Sequence, residues 1–118
     1  MTEIKQVIVS RFAEDDLDEI AAYYASLSPS YVRKTVQQFE DNVMSLKENP
    51  LRGRVVPELE KFGYTRYREL IQGNYRIVYE VANDTVIVHL VIDGRRDFES
   101  IIFSKLSRYY DEFWQFLF

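Results

Sequence analysis

The residue types able to do chemistry in this 118-residue chain are few. There is no cysteine, so disulfides, thiolate metal sites and cysteine nucleophiles are excluded. The single histidine, His89, rules out a zinc site or facial triad needing several imidazoles from one chain. Any Ser-His-Asp arrangement would have to use that one ring. What remains is cations, carboxylates and phenols, and the cations are clustered. Within residues 52–76, Arg52, Arg54, Lys61, Arg66, Arg68 and Arg76 stand against Glu58, Glu60 and Glu69. A second group, Asp93-Gly94-Arg95-Arg96-Asp97, follows. The first cluster reads as a local basic patch for an acidic partner or as a solvated mixed-charge surface.

The rest of the chain is acidic. The net charge is −4, whereas general nucleic-acid binders carry a basic excess. A composition of 47% hydrophobic and 29% charged residues fits one folded domain over residues 1–118, with 99–118 a helical extension. The start, MTEIKQVIVS, lacks the basic and long apolar regions of a secretory signal. No stretch approaches the ~18 apolar residues of a membrane helix. The expectation is a cytoplasmic protein with no membrane association.

The elements that must position these groups follow from period and punctuation. Residues 4–9 read as a strand. Ser10 then caps a helix with an acidic first turn at Glu14, Asp15 and Asp16 and an apolar face at Leu17, Ile20, Ala21 and Tyr24. Ser28-Pro29 starts a second helix, striped by Val32, Val36, Phe39, Val43 and Leu46, and Asn49-Pro50 ends it. Residues 50–64 have no clean period and are expected to be a long loop. From Arg66 the period becomes two. Tyr67–Gln72, Tyr75–Ala82 and Thr85–Ile92 form an antiparallel meander joined at Gly73-Asn74 and Asn83-Asp84. Residues 98–118 are helical. The class is α+β: an N-terminal strand, a helical hairpin, a three-stranded meander and a C-terminal helix.

Two-residue turns assign the faces. Leu70, Tyr75, Ile77, Tyr79, Val81, Val86, Val88, Leu90 and Ile92 should lie on the helices. Tyr67, Glu69, Ile71, Arg76, Val78, Glu80, Ile87, His89 and Val91 should form a mixed opposite face. There Arg76 is either an ion-pair partner of Glu69 or Glu80, or a functional cation. Arg76→Ala should then cost stability only on the surface scale of about ±0.5 kcal/mol.

These pieces resemble the RelE/ParE toxin family. The matching motifs are Ala13-x-x-x-Leu17-x-x-Ile20 with Tyr23 and Tyr24, Glu48-Asn49-Pro50-Leu51-x-Gly53-Arg54, Pro57-Glu58-Leu59, Arg68-Glu69-Leu70, Tyr75-Arg76-Ile77-Val78-Tyr79 and Gly94-Arg95-Arg96. The likeness spans residues 4–98. It implies the toxin half of a bacterial type II toxin–antitoxin pair of the plasmid-stabilisation type, with a cognate antitoxin as partner and no cofactor or metal. RelE-like members cut ribosome-bound mRNA; ParE-like members poison DNA gyrase.

Under the nuclease reading, Arg76 and Arg96 would bind phosphate through guanidinium forks and Glu58 would resemble the general base. The lysine pair of the nuclease falls at Tyr67 and Glu69, and its terminal acid falls near Phe98, Ile101 or Ile102. His89 is the substitute acid. This incomplete set favours the gyrase reading, with Arg68, Arg76, Arg95 and Arg96 as target contacts. A non-toxic, antitoxin-binding module is the third reading. Competing local roles remain: pairing of Arg95 and Arg96 with Asp93 and Asp97, and a plain surface place for Glu58. Phe113, Trp114, Phe116, Leu117 and Phe118 cannot all face one side of a helix. They imply an antitoxin contact or a homodimer.

Overall fold

The computed structural model describes residues 3–117, with side chains through Ser107. The chain runs β1 (Gln6–Val9), α1 (Arg11–Tyr24), α2 (Pro29–Glu48), β2 (Arg54–Val55), α3 (Pro57–Glu60), β3 (Tyr67–Gln72), β4 (Tyr75–Ala82), β5 (Thr85–Asp93) and α4 (Phe98–Leu117). The α+β order expected from the sequence holds. The segment expected to be only loop contains β2 and the single turn α3.

Local chemistry sets the boundaries. The Ser10 hydroxyl accepts the Ala13 N–H at 3.1 Å, and Ser28 accepts that of Tyr31 at 3.3 Å, so each helix begins on a side-chain cap. Pro29 opens α2, where its missing N–H costs nothing. Both hairpins turn on a first central residue with positive φ, Gly73 at 59° and Asn83 at 57°.

The strands form one sheet in the order β1-β5-β4-β3-β2. β1 is parallel to β5, and the other pairings are antiparallel. Each face of the sheet has its own core. On one, Ala13, Phe39, Val43 and Leu46 from the helical hairpin meet Leu70, Tyr75, Ile77, Tyr79, Val86, Val88 and Val91. On the other, Val56, Leu59, Phe98, Ile102 and Leu106 meet Tyr67, Val78, Leu90 and Ile92.

The second core corrects the face assignment. Tyr79 pairs with Val88 but Val78 pairs with Leu90, so His89 is an extra residue in β5. A bulge of this kind reverses the alternation beyond it. Leu90 and Ile92 therefore turn to α4, and Val91 turns to the helical hairpin. The face expected to be mixed and open is roofed by α3 and α4.

Asp16 also departs from its expected place at the helix end. It is buried, its Oδ2 accepts the Val91 N–H at 3.1 Å, and its Oδ1 meets Lys105 of α4. β1 stops pairing at Val88, so this carboxylate replaces a strand partner for β5. It ties α1, β5 and α4 together.

Candidate functional site

The β3–β4 turn aligns Ile71 with Arg76, which leaves Glu69 as the diagonal neighbour of Arg76 on the same face. Arg54 on β2 lies opposite Glu69. Pro57 starts α3 and presents Glu58 from its first turn. These elements assemble a cluster of Arg54, Glu58, Glu69 and Arg76. Its formal charges cancel.

Arg76 is saturated. Its Nε donates to Glu69 Oε2 at 2.6 Å and its Nη2 also meets Glu69. Nη1 and Nη2 donate to the two Glu58 oxygens at 2.8 Å each. Its guanidinium carbon lies 3.4 Å from the Phe98 ring centroid, a stacked cation–π contact. The Arg76 side chain is 11% exposed and that of Glu69 is fully buried. Arg54 adds a 3.5 Å contact to Glu69. Arg76 is thus no surface residue, correcting the expectation of a mild alanine substitution. Burial opposes its charge, but the hydrogen bonds it donates to Glu58 and Glu69 outweigh that and raise its pKa. Hydrogen bonding to Arg76 in turn holds the Glu58 carboxyl below the ordinary glutamate value, against the opposing effect of burial.

The other candidate groups lie elsewhere. His89 is buried, with Nε2 2.7 Å from Glu80 Oε1 and its ring edge-on to Tyr67. That hydrogen bond lowers the pKa of Glu80, as does the charge of Arg66. Arg68 donates to the Gly53 carbonyl at 2.7 Å. Beside it, the Tyr79 hydroxyl accepts the Gly53 N–H at 3.0 Å and donates to the Pro50 carbonyl at 2.8 Å. Burial raises the pKa of that phenol. A Cβ on Gly53 would lie 2.6 Å from both the Glu69 carbonyl and the Tyr79 hydroxyl, so only glycine fits there.

Arg95 and Arg96 sit at the exit of β5. Arg95 pairs locally with Asp93, Nη2 to Oδ2 at 2.7 Å, as one of the sequence alternatives held. Hydrogen bonding to Arg95 depresses the pKa of Asp93. Arg96 makes no side-chain hydrogen bond or ion pair among the described residues. Both arginines line a cleft of about 420 Å³ with Glu19, Tyr23, Tyr24 and Tyr75. The Tyr75 hydroxyl lies 3.4 Å from that of Tyr31, and burial followed by this contact raises its pKa. Tyr23 and Leu27 are each 69% exposed, and Tyr31 is also exposed.

The structure therefore brings Glu58 and Arg76 together, but as an ion pair, and Arg96 lines a different cleft. Sequence reasoning put Glu69 on the right face and offered it as an ion-pair partner of Arg76, which is the alternative the structure shows. It missed the cover by Phe98 and the long reach of Asp16. The hairpin register carried the signal for Glu69; nothing local marks the other two. Among the described residues no group of three or more His, Cys, Asp or Glu side chains could hold a metal ion. No described helix is long and apolar enough to cross a membrane. Phe113, Trp114, Phe116, Leu117 and Phe118 lie outside the residues whose side chains are described.

Comparison with known proteins bears on the same region of the chain. The family model for the ParE toxin of the type II toxin–antitoxin system parDE matches residues 7–98. Among solved structures, the chromosomal ParDE system from P. aeruginosa aligns with a TM-score of 0.64 at 20% identity, covering 77% of this chain and 96% of that one. The RelBE2 toxin–antitoxin complex from Mycobacterium tuberculosis aligns with a TM-score of 0.52 at 24% identity, covering 79% and 93%. At these identities the two alignments speak for a shared fold. No curated protein matches the sequence significantly. The family match extends from β1 to the first residue of α4, and on that ground the chain belongs to the ParE toxins of type II toxin–antitoxin systems.

Proposed function

We propose that this toxin arrests growth by binding a protein target, DNA gyrase, and that it does not cut RNA. The observation carrying this reading is the closure of Arg76. Metal-free RNA cleavage needs a free cation for the charge developing on phosphorus and a base for the 2′-hydroxyl. All three side-chain nitrogens of Arg76 are committed to Glu58 and Glu69, and Phe98 covers its face. Glu58 spends both oxygens on that arginine, and its lowered pKa makes it a weaker base. His89, the substitute acid, is buried against Glu80. The target contact falls instead to Arg95 and Arg96 in the 420 Å³ cleft, beside the exposed Tyr23 and the half-buried Tyr24, and tyrosine with arginine is a composition typical of protein interfaces. A cognate antitoxin neutralises the toxin.

The test pairs two assays on purified full-length protein. Gyrase supercoiling should be inhibited, and transcripts on translating ribosomes should stay intact. Site-specific transcript cleavage would overturn the proposal. Unimpaired growth at high soluble expression would leave only an antitoxin-binding role and would overturn it too.

A further inference from the structure

Leu59, Tyr64, Tyr67, Phe103 and Leu106 line a groove of about 230 Å³ between the loop after α3 and the outer side of α4. Its rim is apolar and open. Phe62 is 55% exposed, Tyr64 53% and Phe103 39%, and the Phe62 and Phe103 rings meet edge-on with centroids 5.6 Å apart. Three large aromatics beside one groove exceed the scattered apolar exposure of an ordinary surface.

The same chain carries a matching segment. α4 continues as helix to Leu117, past Leu106 and Ser107 at the groove's end. At 1.5 Å per residue, Trp114 lies about 12 Å and Leu117 about 16 Å further along the axis than Leu106. A continuous helix cannot turn back over its own earlier turns, so its backbone up to Leu117 runs away from the groove it leaves.

We propose that the protein forms a two-fold homodimer in which the Trp114–Phe118 segment of each copy fills the groove of the other. Such an exchange is isologous and closed, and it satisfies both apolar surfaces twice with one set of contacts. The area is sufficient. Aromatics bury about 150–250 Å² each. On a helix Trp114 and Leu117 share a face that excludes Phe116, and that face, contributed by both copies with the groove walls it covers, approaches the lower end of the roughly 1,200–2,000 Å² of a stable interface. The inference is independent of the gyrase reading, because it uses neither the Arg95–Arg96 cleft nor the Arg76 cluster.

Trp114 is the only tryptophan, so its emission reports on the segment alone. Full-length protein should be followed by sedimentation and Trp114 fluorescence over roughly 0.1–100 μM, the range of ordinary protein affinities. The expected result is a dimer with blue-shifted emission, moving to monomer and red-shifted emission together on dilution. Phe103→Glu in the groove and Leu117→Glu in the segment should each give monomers with unchanged far-UV circular dichroism. Mixed together, the two variants should recover a dimer, since one intact groove meets one intact segment. Should Phe103→Glu disturb folding, Tyr64→Glu at the open rim replaces it. A monomer at every concentration overturns the proposal. So does a dimer that survives both variants, or a blue shift that arises only on adding antitoxin, which would make the antitoxin the occupant.

Discussion

Glu69 on β3 and Arg76 on β4 are diagonal neighbours across a tight hairpin, joined through Arg76 Nε and Nη2 beneath Phe98. Glu69 is buried with no exposed side-chain surface, so its charge depends on this partner. Removing one member of a buried pair costs about 3–5 kcal/mol, because the other is left uncompensated. Arg76→Ala should therefore lower the melting temperature by roughly 10 °C or more on the usual scale for a domain of this size. Circular dichroism melts check this. A shift of only a degree or two would return Arg76 to the surface role expected from the alternating pattern.

Glu58 and Glu80 both have folded-state pKa values below the ordinary glutamate value of 4.5, the first through Arg76 and the second through His89. A depressed carboxylate stabilises the fold fully above its unfolded pKa, and that contribution disappears as pH falls through the folded value. The contribution of these two carboxylates should thus be level above about pH 5 and be lost as pH falls below it. Glu58→Gln and Glu80→Gln should each flatten the acid limb in denaturant titrations at stepped pH. An identical slope in the variants would mean that other groups set the acid limb.

Gly53 is held by backbone and side-chain contacts on both sides. Gly53→Ala places a methyl against the Glu69 carbonyl and the Tyr79 hydroxyl, and overpacking of this kind costs about 1–3 kcal/mol. Tyr79→Phe should cost a comparable ~1–3 kcal/mol by leaving the Gly53 N–H and the Pro50 carbonyl without their partner. Chemical denaturation of both variants measures these losses.

Asp16→Ala removes an acceptor for the Val91 N–H and a partner of Lys105 at one stroke. An orphaned buried donor alone costs about 1–3 kcal/mol. Hydrogen exchange should show the Val91 amide losing protection and α4 opening more readily. Asp16→Asn, which keeps an acceptor oxygen, should retain more of the protection at Val91 than at α4.

Arg96→Glu should abolish growth arrest and leave the melting temperature unchanged, because its guanidinium supports no described contact within the chain. Arg95→Glu should act similarly, as its partner Asp93 is a local and partly exposed one. Plating efficiency under induction, read beside soluble yield, separates lost target binding from lost protein. Full toxicity in both variants would move the target contact away from this cleft.

Strand and helix limits were legible because their causes are local. Ser10 and Ser28 cap helices whose first turns are their immediate neighbours, and Gly73-Asn74 and Asn83-Asp84 supply the backbone geometry of their own turns. The family motifs over residues 4–98 were legible for the same reason. What each side chain meets was a different matter. One added residue at His89 reverses the faces of Leu90, Val91 and Ile92, and alternation in sequence is the same whether or not a partner strand lacks that residue. The fate of Arg76 depended on Glu58 and Phe98, which lie 18 and 22 positions away and reach it only once α3 and α4 roof the sheet. Asp16 sits where helix electrostatics alone would place an acid, yet its partners come from β5 and α4. The sequence by itself determined the long strands and helices, though not the short β2 and α3, since propensity, caps and turns act over a few residues. Only the tertiary structure decided which charges are free to act, because that depends on which distant elements bury them.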